Sequence, residues 1–135
     1  MVFLKFEIKM KIKKDILSRA DIELLVNIFY DKVKQDATLG YLFNDVAKTN
    51  WQVHLPKMYD FWEVVLFAKG SFKGNPMMVH RQLHEKSALS EAHFNHWLVI
   101  FKETVDELFE GENAENIKYS AANIAGNLIY KLLLV

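Results

Sequence analysis

The chain has 135 residues, 51% of them apolar and 13% aromatic, with 17 basic and 17 acidic side chains and no cysteine. That length is close to one domain and can bury roughly two thirds of the surface its unfolded chain exposes, so a core can form without staples. The lack of Cys excludes a disulfide scaffold, a thiolate zinc site, an iron–sulfur cluster and covalent c-type haem attachment. A net charge of zero gives no general pull toward nucleic acid or anionic lipid.

No run reaches the ~18 uncharged apolar residues that a membrane-spanning helix needs. The first stretch is broken by Lys5, Glu7, Lys9 and Lys11, so it does not read as a signal peptide. The expectation is a cytoplasmic protein that engages neither nucleic acid nor membrane. Only 5 Gly and 2 Pro occur, below the usual share of about 7% and 5%, and this points to an all-α chain.

Residues 4–13 alternate apolar and charged at period two, a strand pattern with no partner strand elsewhere. The reading is a disordered or loosely packed leader over 1–14, with Met10 a candidate start, followed by one domain over 15–135. Ser18 and Asp21 predict a capped helix start, and Ile22, Leu25, Val26, Phe29, Tyr30 and Val33 follow at helical spacing. That helix is expected to end near Gly40, before an apolar corner of Tyr41, Leu42 and Phe43.

Thr49 or Asn50 can cap the next helix, which carries His54, Met58, Phe61 and Trp62. Pro56 places its proper start near Leu55. Asn75-Pro76 opens a short helix. Ser90 opens the longest, with Phe94, Trp97, Phe101 and Val105 on one stripe and Gly111 as its stop. A last helix runs from about Asn113 with Ile117, Ala121, Ala125 and Leu128 inward. The sum is five or six helices without repeats or a domain boundary.

His80 and His84 stand four apart on the short helix and share a face, so together they can meet one metal. The motif His-Arg-Gln-Leu-His lacks the Glu that a HExxH zinc protease uses as base. A lone histidine such as His54 on an apolar face is more often a satisfied core residue than a ligand. Tyr30 and Trp97 are by the same measure more often core than functional. Composition and periodicity lead only to a helical domain with two histidine-bearing helices.

Several blocks nevertheless resemble the group III truncated haemoglobins of bacteria. They include Phe29-Tyr30-Asp-Lys-Val, Leu39-Gly-Tyr-Leu-Phe43, Trp51-Gln-Val-His54-Leu-Pro-Lys-Met58, Phe61-Trp62-Glu, Gly74-Asn-Pro-Met and His93-Phe-Asn-His-Trp97-Leu. The likeness covers about residues 15–127 and implies a two-over-two helical sandwich around non-covalent haem b. It implies His80 as the iron ligand, with His84 the runner-up on the same face. It implies Phe43, His54, Met58, Trp62 and Trp97 as haem contacts, and Tyr30, His54, Met58 and Trp97 as the ligand pocket. The expected ligands are dioxygen, nitric oxide and carbon monoxide, with redox or detoxification chemistry and a reductase partner as further possibilities. A monomer is expected, with weak dimerisation as the alternative.

Two other readings stand beside this one. One is a metal-dependent enzyme using His80, His84 and a carboxylate such as Glu85; the other is a haem-free helical interaction module.

Overall fold

A computed structural model describes residues 13–134, and these are helical without strands. The helices are α1 (Arg19–Gln35), α2 (Trp51–Phe67), α3 (Pro76–Lys86), α4 (Glu91–Leu108) and α5 (Glu112–Ile129). Two wide helical turns, Leu42–Val46 and Tyr130–Leu134, follow α1 and α5. Most of the leader's alternating pattern lies outside the described residues. The leader's last two residues are tied to the domain: the Lys13 ammonium bonds the Asp106 carbonyl, and Glu110 N–H donates to the Lys14 carbonyl at 3.1 Å.

Side-chain caps start three of these helices as their sequences predict. Ser18 Oγ accepts from Asp21 N–H, Asn75 Oδ1 from Met78 N–H, and Ser90 Oγ from His93 N–H. Such caps satisfy backbone donors that a helix start leaves unpaired. Two boundaries differ from the sequence reading. Helix α1 closes at Gln35, where the Asp36 carboxylate turns outward to accept from Thr38 and Leu39 N–H.

Helix α2 begins at Trp51, four residues before the expected start, and contains Pro56. Proline removes one ladder bond there. Packing of the first turn offsets that loss, because Trp51 stacks on Phe43 with ring centroids 5.8 Å apart, and Asn50 caps the end.

Helices α1 and α2 pack together, α4 and α5 pack together, and the pairs meet through α1 on α4 and α2 on α5. The core is the inward stripe of α1 (Ile22, Leu25, Val26, Phe29) against Phe101 and Val105 of α4 and Ile117 and Ala121 of α5. Phe101 is fully buried between two indoles, with centroids 4.8 Å from Trp62 and 5.4 Å from Trp97. Helix α3 is different: it buries no residue and turns only Met77 and Leu83 toward the core.

Asp15 locks the two ends of the chain together. Its carboxylate accepts from Ile16, Asn113 and Ala114 N–H at 2.8–2.9 Å, so it caps α5 from the far end of the sequence. Gly111 beside it has φ 144, and a Cβ there would lie 2.5 Å from Asp15 Cγ. Only glycine fits that position without strain.

Candidate functional site

Four rings from three segments enclose one corner beside α1. Tyr30 projects inward from α1 and is 5% exposed. Its ring lies 5.1 Å from His54, 5.4 Å from Trp51 and 5.9 Å from Phe43. Burial raises the Tyr30 pKa, so the phenol keeps its proton, and among the described residues its hydroxyl makes no hydrogen bond. A ligand held beside it could accept a hydrogen bond from this phenol.

His54 is a second group without a partner. Its Nε2 is buried and makes no hydrogen bond. Burial, then the Lys57 ammonium and a smaller effect of His80, push its pKa down to about 4, so the ring is neutral at pH 7.

His80 has its proton fixed. Its Nδ1 lies 2.6 Å from the Pro76 carbonyl, and a carbonyl can only accept, so Nδ1 carries the hydrogen. The Nε2 lone pair is left for a metal, and the backbone bond sets the ring's orientation. At His84 the arrangement is reversed. Leu89 N–H donates to its Nδ1 at 2.8 Å, so the neutral ring carries its proton on Nε2 and has no lone pair left there.

The remaining expected residues lie at increasing distance from that corner. Phe43 is half-buried within it, and Met58 follows His54 by one turn, packed against the core. Trp97 reaches Tyr30 through Phe29, whose ring is 5.6 Å from Trp97 and 4.8 Å from Tyr30. Trp62 is 2% exposed and sits in the stack on Phe101.

Sequence reasoning missed Trp51. It is half-buried, meets the His54 ring edge-on at 5.5 Å, and carries the Lys34 ammonium 4.4 Å from its own ring centroid. Its place three residues before His54 puts both on one helical face, and that spacing was the available signal.

Among the described residues no three His, Asp or Glu side chains converge as a metal site, so His80, His84 and Glu85 do not form one. An open groove between α4 and α5, lined by Lys102, Asp106, Lys118 and Tyr119, shares no residue with the corner above. The groups that lack partners instead fit a flat apolar prosthetic group with a central metal. An imidazole with an open Nε2 stands on a helix held away from the core. A separate corner holds aromatic rings, a neutral imidazole with a bare nitrogen and a buried phenol.

A two-over-two helical sandwich with an outlying histidine-bearing helix is the architecture of a small globin. The family model described as Bacterial-like globin matches residues 15–129, and the chain belongs to that family. It is similar to the group 3 truncated hemoglobin ctb of Campylobacter jejuni, 30% identical over 125 residues that cover 88% of this chain and 96% of that protein. The crystal structure of a group III truncated hemoglobin from Campylobacter jejuni superposes with a TM-score of 0.78 at 27% identity. That match covers 90% of this chain and 95% of the other. Among the described residues no helix is long and apolar enough to cross a membrane.

Proposed function

We propose that this globin holds non-covalent haem b through His80 and binds dioxygen, nitric oxide or carbon monoxide at a five-coordinate iron. The observation that carries this reading is the fixed tautomer of His80, which leaves its Nε2 open on the helix that follows the one bearing the unpartnered His54 Nε2. The names of the similar proteins support it as well. When bound, the haem supplies an iron that accepts a diatomic ligand and changes oxidation state.

The chain's own residues shape that site. The Pro76 carbonyl holds the His80 ring and strengthens Nε2 as a donor to metal. Phe43, Met58, Trp62 and Trp97, with Trp51, form or back a dry wall that keeps water from the ligand. Tyr30 would offer its hydroxyl as a hydrogen-bond donor to a dioxygen ligand held there, and dry surroundings would strengthen that bond. His54, neutral and without a partner, can accept from Tyr30 or donate to the ligand according to its tautomer.

Polar Tyr30 and His54 in the pocket, with the Trp97 indole behind Phe29, suit redox, nitric oxide or peroxide chemistry more than simple carriage. The reading therefore includes a reductase partner, and it takes the protein as a cytoplasmic monomer. Titration of the apoprotein with hemin tests it. Tryptophan emission should be quenched in proportion and level off at one hemin per chain, with a Soret band growing in step. No saturable quenching, or equal quenching in a His80→Ala variant without a Soret shift, would overturn it.

A further inference from the structure

The charges of this neutral chain are not evenly spread. Residues 48–86 carry a net +3, whereas residues 87–135 carry a net −4. Ion pairing sharpens the contrast. Of the three acids in residues 48–86, Asp60 and Glu63 are both held by Arg19, which leaves Glu85. Among the described residues Lys48, Lys57, Lys69, Lys73, Arg81 and Lys86 form no ion pair, and all six are exposed. The two carboxylates of a haem could occupy two of them at most, so a surplus remains.

Part of that surplus frames an apolar patch on α3. Met78 is 54% and Val79 60% exposed on this helix, whose Met77 and Leu83 pack toward the core. Lys73 stands just before this helix, and Arg81, Glu85 and Lys86 are exposed along it. His80 sits on the same helix, so a molecule seated on this face would lie one helix thickness from the histidine's metal.

We propose that the outer face of α3 docks an acidic one-electron donor protein, with Met78 and Val79 at the centre and Lys73, Arg81 and Lys86 around it. The inference rests on the haem reading above and names the surface through which its iron is reduced. In the step the donor's reduced flavin loses one electron and the ferric iron takes it up, and no bond forms or breaks. A few apolar atoms flanked by three cations and one acid suit a small, transient, electrostatically steered encounter. A stable oligomer would need a larger and more apolar face.

The probe is an acidic flavodoxin, mixed with the full-length haem-loaded protein. Nuclear magnetic resonance of the 15N-labelled chain with oxidised flavodoxin should shift amides of residues 73–86 and leave those of α5 unmoved. Stopped-flow reduction by the reduced flavodoxin should slow about tenfold or more between 10 mM and 200 mM salt, because charges separated by more than a Debye length are then screened. The double variant Arg81→Glu with Lys86→Glu should weaken binding about tenfold or more, while Lys131→Glu, at the far end of the chain, should leave it within twofold.

Shifts that map to α5, salt-independent rates, or equal weakening by Lys131→Glu would overturn the proposal. So would tighter binding of the α3 face to phosphatidylglycerol vesicles than to flavodoxin. A purified chain without a Soret band would sink the haem reading instead, and the amide shifts would still decide the docking surface.

Discussion

His80 and His84 lie four residues apart on α3 yet hold their protons on opposite ring nitrogens. The Pro76 carbonyl accepts from His80 Nδ1, and the Leu89 amide donates to His84 Nδ1. One ring thereby keeps its outer nitrogen free, and the other has committed its lone pair to the backbone. The distinction comes from the chain on either side of the pair: a helix start before His80 and the turn after Lys86 beyond His84.

For His84 the consequence is structural. His84→Ala removes the acceptor of the Leu89 amide at the junction of α3 and α4, where Leu89 is 6% exposed. The expected cost is about 1–3 kcal/mol, that of a buried donor left unpaired. Urea unfolding of the two apoproteins measures it, and equal midpoints would show that water takes over the bond.

Tyr30 is the main donor to dioxygen in this account. A hydrogen bond to a partly charged acceptor is worth roughly 1.5–3 kcal/mol, so Tyr30→Phe should speed dioxygen release by about 10- to 150-fold. Carbon monoxide carries little negative charge, and its release should change far less. Stopped-flow dissociation of both gases checks this. A dioxygen rate within about twofold of the parent, with a sharp rise in Trp97→Phe, would move the donor to Trp97.

Phe101 couples the core to the pocket wall, because it fills the gap between Trp62 and Trp97. Phe101→Ala leaves a cavity between two indoles and should cost about 3–5 kcal/mol. Urea unfolding should show a lower midpoint at an unchanged slope. A loss below about 1 kcal/mol would mean that the two indoles close on each other.

Asp15 gives the fold an acid-sensitive clasp. Burial alone would raise its pKa, but bonds from Asn113, Ile16 and Ala114 N–H outweigh this and hold it below the usual value. Its folded pKa lies below the unfolded one, so the stability it adds is present above about pH 3.8 and is lost as pH falls through the folded value. Asp15→Asn should be less stable at pH 7, by about 0.5–2 kcal/mol, and should lose less on acidification below pH 4. Parallel stability–pH curves for the two chains would contradict the role given to its charge.

The helix starts at Ser18, Asn75 and Ser90 were legible in the sequence because a cap and the donor it satisfies lie within three residues of each other. The inward stripes of α1 and α4 were legible through their period. Pro56 misled because a local rule met a tertiary exception: Trp51 packs on Phe43, and Asn50 caps the turn that proline argued against. Asp15 gave no signal, since the helix it caps begins near the other end of the chain.

Of the site, the residue set came from resemblance, and the individual roles depend on contacts that spacing does not encode. His80 and His84 share a face by periodicity alone. The bonds to the Pro76 carbonyl and from the Leu89 amide separate them.

The absorption spectrum of the haem-loaded ferrous protein, recorded for the parent, His80→Gly and His84→Gly, tests the central claim most directly. The account predicts a five-coordinate ferrous haem b spectrum in the parent and in His84→Gly. In His80→Gly it predicts loss of most haem, with the parent spectrum restored by added imidazole, which can occupy the vacated position. A His84→Gly chain that loses its haem while His80→Gly keeps an unchanged spectrum would contradict the assignment of His80 as the iron's protein ligand.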